Sequence, residues 1–105
     1  MADSDLSPFF TPRGIAVVGA SREPGKLGYF LARNLISSGY GGAIHLINPR
    51  GGELLGRGMI ASILDAPDPV DLAVILVPPA AVAGSLRECA RRGVKGVIVA
   101  AGGFR

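Results

Sequence analysis

The sequence is poor in the residues on which most site chemistry depends. Of its 105 residues one is cysteine, one is histidine and none is tryptophan. A lone Cys89 cannot close an internal disulfide, and with a single histidine the chain cannot assemble a conventional zinc site. No metal is therefore expected, and cysteine usage suits a cytoplasmic protein. Charge is scarce as well: 18% of residues are charged, and the net charge of +3 is spread along the chain. That pattern makes no polyanion-binding stripe, so a small phosphorylated ligand is expected rather than nucleic acid. No apolar run approaches the roughly 20 residues of a membrane span, and the N-terminus Met1-Ala2-Asp3-Ser4-Asp5 is acidic, so neither an anchor nor a signal peptide is expected.

What the chain has in quantity is aliphatic residues and glycine: 49% hydrophobic, with 16 glycines and 8 prolines. This is enough for one domain with a buried core. After an N-terminal extension, residues 1–13, the domain proper is assigned to residues 14–105. Gly14-Ile15-Ala16-Val17-Val18-Gly19 reads as a buried parallel strand. Lys26 to Ser38 places Leu27, Phe30, Leu31, Leu35 and Ile36 at helical spacing, with Gly39 as a cap.

Ala43 to Asn48 is a second strand closed by Pro49. The glycine-rich 51–58 stretch reads as loop, with a short strand near Met59-Ile60. Asp71 to Val77 is the clearest strand, stopped by Pro78-Pro79, which can start a helix but not continue a strand. A helix over Ala80 to Arg92 puts Val82, Leu86, Cys89 and Ala90 on one face, and Gly93 ends it. Lys95 to Ala100 supplies a last apolar strand. The alternation predicts an α/β, Rossmann-like, doubly wound parallel sheet in a single domain, shortened after its fifth strand. In that topology the first strand and the Asp71 strand are neighbours at the switch point, so ligand is expected between the loops that follow them.

The first of those loops, Gly19 to Gly28, joins strand to helix. Its backbone amides and the helix N-terminus favour phosphate, with Ser21 and Lys26 as direct donors. An ordinary tight turn is the plainer alternative. The loop is neither G-x-G-x-x-G nor a P-loop. Where a dinucleotide reader usually carries a carboxylate, the second strand ends Asn48-Pro49-Arg50; a cation there suits a phosphorylated ribose, unless Arg50 is simply a solvated surface residue. Val77-Pro78-Pro79-Ala80-Ala81 carries no acid–base group and suits a wall. His45 and Cys89 read as structural, Asp65, Asp68 and Asp71 as turn and strand-start residues, and Arg87, Arg91 and Arg92 with Glu88 as a solvated helix face with local ion pairs. No residue is read as catalytic.

Pro12-Arg13-Gly14 through Gly19-Ala20-Ser21, Pro24-Gly25-Lys26-Leu27-Gly28-Tyr29, Asn48-Pro49-Arg50, Val77-Pro78, Gly93-Val94-Lys95-Gly96 and Ala101-Gly102-Gly103-Phe104 together resemble the CoA-binding domain of ADP-forming acyl-CoA synthetases, relatives of the succinyl-CoA synthetase α subunit. The likeness covers nearly the whole chain. By this resemblance Gly19, Ala20, Ser21 and Arg22 hold CoA phosphates, and Arg50 sits near the ADP end. Val77, Pro78 and Pro79 wall the adenine and pantetheine, while Ala100, Ala101 and Gly102 flank the thiol end. The doubled Gly102-Gly103 departs from a common family form with one glycine, and Arg50 often matches a lysine. In the full synthetases a phosphorylated histidine and an ATP-grasp module perform the chemistry. The resemblance implies an N-terminal fragment that binds CoA or acyl-CoA and works with those missing parts. The same domain occurs fused to acetyltransferases and as short standalone CoA-binding proteins. A self-standing regulatory CoA-binding module, as a homo-oligomer covering the sheet's exposed edge, and an NADP-binding oxidoreductase domain are the alternatives.

Overall fold

A computed structural model describes residues 6–100. A four-residue helix, α1 (Ser7–Phe10), leads into β1 (Gly14–Val18), α2 (Leu27–Ser37) and β2 (Ala43–Ile47). A hairpin of β3 (Glu53–Leu54) and β4 (Arg57–Ile60) follows, then a 3-10 turn (Ile63–Asp65), β5 (Leu72–Ile75), α3 (Pro79–Arg92) and β6 (Gly96–Val99). The sheet order is β3-β4-β2-β1-β5-β6, parallel throughout except for the β3–β4 pair. The expected doubly wound sheet is therefore present, with one more strand than the sequence reading gave. Glu53–Leu54 is only two residues long and lies among glycines, so it carries too little apolar pattern to be seen.

Every residue of β1 is buried, as a central parallel strand flanked by two others requires. Its alternate side chains feed two cores. Ala16 and Val18 join Ile47, Ile63, Ala73, Ile75 and Cys89 beneath α3 and the crossover. Val17 joins Ala20, Ala32, Leu46, Leu54 and Met59 beneath α2. At roughly 25 cal/mol per Å², fully burying each aliphatic side chain contributes about 1.5–3 kcal/mol against the entropy of ordering the chain.

Both helices turn differently from the expectation. Leu31, Leu35 and Ile36 of α2 do pack on the core, but Leu27 and Phe30 stay about half exposed, and the Arg33 guanidinium lies 5.7 Å from the Phe30 ring centre. The smallest residues, Gly28 and Ala32, face the sheet because a side chain at position 28 would overlap the Gly19 carbonyl oxygen. In α3, Cys89 is buried and Val82 partly so, whereas Leu86 and Ala90 are exposed. The solvated charged face on α3 is corrected in part: Arg87 and Arg91 are exposed, whereas Glu88 and Arg92 are half-buried. Ser62 donates to Glu88 at 3.2 Å, and Arg92 donates to the Ala66 carbonyl at 2.8 Å and to Asp68 at 2.7 Å. These charges tie α3 to the crossover before β5 instead of pairing along the helix. Asp68 and Asp71 are likewise ion-pair partners, of Arg92 and Arg13, beyond their turn roles. No helix among the described residues is long and apolar enough to cross a membrane.

Candidate functional site

The crossovers send α2 to one face of the sheet and α3 to the other, so a crevice opens between the carboxyl ends of β1 and β5. It measures about 620 Å³. The turn into α2 supplies Gly19, Ala20, Ser21, Glu23, Lys26, Leu27 and Gly28, the end of β2 supplies Asn48, Pro49 and Arg50, and the entry to α3 supplies Leu76, Val77, Pro78 and Ala81. A smaller depression of about 100 Å³ adjoins it, sharing Ser21, Glu23, Asn48 and Arg50 and adding Arg22, Gly51 and Met59.

The turn is built by close backbone approach. Gly19 has φ +102°, and a Cβ there would lie 2.7 Å from the Leu76 carbonyl oxygen, so glycine is required on both conformational and steric grounds. The amides of Gly19 and Ala20 both donate to the Ile47 carbonyl, at 3.0 and 3.1 Å. These two extend the sheet, which leaves the amides of Ser21, Arg22, Leu27 and Gly28 for an anion, the Tyr29 amide already donating to the Lys26 carbonyl at 3.2 Å. Ser21 Oγ accepts from the Glu23 amide at 3.0 Å, which shapes the turn. Asn48 is a brace at both ends of its amide. Its Nδ2 donates to the Ala20 carbonyl at 2.8 Å, and its Oδ1 accepts from the Arg50 amide at 2.8 Å, locking the end of β2 to the turn.

Among the described residues, Arg22 and Arg50 form no ion pair, and Lys26 has only Glu23, whose carboxylate stands 3.9 Å from its ammonium with both side chains exposed. A methyl group on Gly52 would lie 3.7 Å from the Arg22 guanidinium, so Arg22 lies over the glycine turn in the smaller depression, on the side of Arg50. Cations thus collect at the β2 end of the crevice, while Leu76, Val77, Pro78 and Ala81 make its other end apolar.

Of the residues singled out from sequence, Gly19, Ala20, Ser21, Lys26, Asn48, Arg50, Val77 and Pro78 line the wide crevice and Arg22 the smaller one. Pro79 starts α3 and lines neither. Ala100 also lies outside both, its amide bonded to the Ile75 carbonyl at 2.9 Å beside the end of β5. Ala101 and Gly102 fall outside the described residues. Sequence reasoning placed Ala81 in the wall, as found, but did not assign Glu23 or Leu76 to the site. His45 is buried, with Nε2 2.9 Å from the Pro69 carbonyl, and burial pushes the Cys89 thiol pKa up, with the Glu88 charge adding to it. Both are structural.

A glycine turn entering a helix, cations at the end of the second strand and an apolar wall at the switch point define a doubly wound nucleotide-binding domain. Comparison with known families is more specific: residues 13–105 match the family described as CoA binding domain, and the chain belongs to it. It is 45% identical over 103 residues to the α subunit of an ADP-forming acetate–CoA ligase I from Pyrococcus furiosus, covering 94% of this chain and 22% of that one. It superposes with a TM-score of 0.89 at 44% identity on the apo form of a dinucleotide-forming acetyl-coenzyme A synthetase 1 from Candidatus Korarchaeum cryptofilum, covering 94% of this chain and 22% of that one. A conserved hypothetical protein from Pyrococcus furiosus matches with a TM-score of 0.77 at 31% identity, covering 89% of this chain and 78% of that one. The chain thus spans about a fifth of the synthetase relatives.

Proposed function

We propose that this domain binds CoA or acyl-CoA across the crevice as the nucleotide-holding part of an ADP-forming acyl-CoA synthetase. The observation that carries this is the division of the crevice into a cationic end and an apolar end, which suits a ligand made of a phosphorylated nucleotide joined to pantetheine. In this reading the diphosphate lies at the free amides of Ser21, Arg22, Leu27 and Gly28, beside Lys26. The ribose 3′-phosphate meets Arg50, with Arg22 across the smaller depression. Leu76, Val77, Pro78 and Ala81 wall the apolar portions, and the thiol end runs toward residues 100–102. Acyl activation is assigned to a phosphohistidine and an ATP-grasp module elsewhere in a cytoplasmic parent, with no metal and no catalytic residue in this chain.

Titration with CoA, dephospho-CoA and NADP tests this reading. Arg50→Ala is expected to weaken CoA by roughly 1.5–3 kcal/mol and to leave dephospho-CoA nearly unaffected. Equal losses for both ligands would remove Arg50 from the 3′-phosphate, and a preference for NADP would favour an oxidoreductase domain. The short relative, most of whose length this domain spans, favours a second reading as a self-standing CoA-binding regulatory module. Sedimentation of the natural gene product as a small CoA-binding oligomer would decide for it.

A further inference from the structure

One acidic side chain, Glu23, lines both depressions, and its carboxylate's ionic partner among the described residues is Lys26. The turn needs its backbone amide, which bonds Ser21, but not its carboxylate. That carboxylate is exposed and stands 3.9 Å from Lys26, at the N-cap of α2. The other charges around the two depressions, Arg22 on the same turn and Arg50 at the end of β2, are both cationic. A carboxylate placed where an anionic ligand enters weakens its binding, either by repelling the ligand directly or by occupying one of the cations that would meet it.

We propose that Glu23 is a built-in competitor for Lys26: its carboxylate holds the lysine at the crevice mouth until the diphosphate of a CoA-type ligand replaces it. The inference rests on CoA binding as proposed above and adds a residue that sets its affinity and selectivity. Ligand entry becomes an exchange of one ion pair for another. An uncharged pantetheine has nothing to exchange, and a ligand with a diphosphate displaces the carboxylate from Lys26.

The size of the effect follows from two unit charges about 4 Å apart in water, which bounds it at several-fold and makes it salt-sensitive. Calorimetric titration of wild type and Glu23→Gln at low ionic strength is expected to show CoA and dephospho-CoA each binding about 2- to 5-fold more tightly to the variant, with pantetheine unchanged. In a Lys26→Met background the same Glu23→Gln change is expected to give no gain. Wild-type CoA binding with an unchanged or weaker Glu23→Gln variant would overturn this inference alone. An equal gain in the Lys26→Met background would also overturn it, because Glu23 would then act on the ligand directly. No CoA binding by the wild type would overturn the CoA reading and this inference with it.

Discussion

The two ends of the sheet hold similar charges and use them in opposite ways. At the amino end the cation is consumed. Arg13 donates to Asp71 from its backbone amide, Nε and Nη2 at 2.9–3.1 Å, and the Tyr40 hydroxyl donates to the Pro12 carbonyl at 2.6 Å. At the carboxyl end, Arg22 and Arg50 have no ionic partner among the described residues, and Lys26 has a distant one. A depression of about 490 Å³ does open at the amino end, lined by Ser7, Pro8, Thr11, Arg13, Asp71 and Lys95. Its acid and its arginine satisfy each other and leave Lys95 as its one cation outside an ion pair among the described residues, so volume alone does not distinguish a site. Two unpaired arginines beside free turn amides do.

The comparison breaks most severely where the carboxyl end depends on bare backbone. Gly28→Val forces a side chain into the Gly19 carbonyl and displaces α2 from the sheet, with an expected loss of about 3 kcal/mol in denaturant unfolding and of CoA binding with it. Gly25 is the control. A Cβ there meets nothing within 4 Å, so Gly25→Ala should leave stability within about 0.5 kcal/mol.

At the amino end the expected effect is on stability alone. The hydrogen bond from the Arg13 side chain, joined by its backbone amide, holds Asp71 down to about 2 from an ordinary 3.8. A depressed carboxylate stabilises the fold above its unfolded value, and that contribution is lost as pH falls from about 4 toward 2. Asp71→Asn is therefore expected to cost about 1–2 kcal/mol at neutral pH, with the two proteins converging in acid. CoA affinity at neutral pH should be unchanged. A pH-independent difference in unfolding free energy between wild type and variant would show that the pair contributes packing rather than charge.

The sequence made the layout of this comparison readable but not its wiring. Strands as apolar as Gly14–Val18 and Leu72–Ile75, closed by glycine or proline, announce a parallel sheet and its switch point, and with them the crevice. The partners of Asp71, Glu88 and Arg92 lie 24 to 58 residues away along the chain. No local pattern specifies such pairings, and helical spacing instead suggested neighbours on α3. That the Gly19 and Ala20 amides bond the Ile47 carbonyl was not legible for the same reason, because that carbonyl ends β2, remote from the turn along the chain. Asn48 was placed in the site from its position, while its role as a brace depends on the distance to Ala20, which only the fold fixes.

Ser21 gives the smallest and sharpest test of how the turn works. Its hydroxyl oxygen accepts from the Glu23 amide, so its contribution to binding divides into shaping the turn and donating its proton to phosphate. Ser21→Ala removes both and is expected to weaken CoA by about 1 kcal/mol. Ser21→Thr keeps the oxygen and the proton and should restore most of the loss. The ligand series then separates the parts. If the hydroxyl touches the diphosphate, CoA and dephospho-CoA lose equally and adenosine 3′-monophosphate is unaffected. If it only shapes the turn, the loss spreads to every ligand that uses Arg22, because the same turn carries Arg22 into the smaller depression beside Arg50.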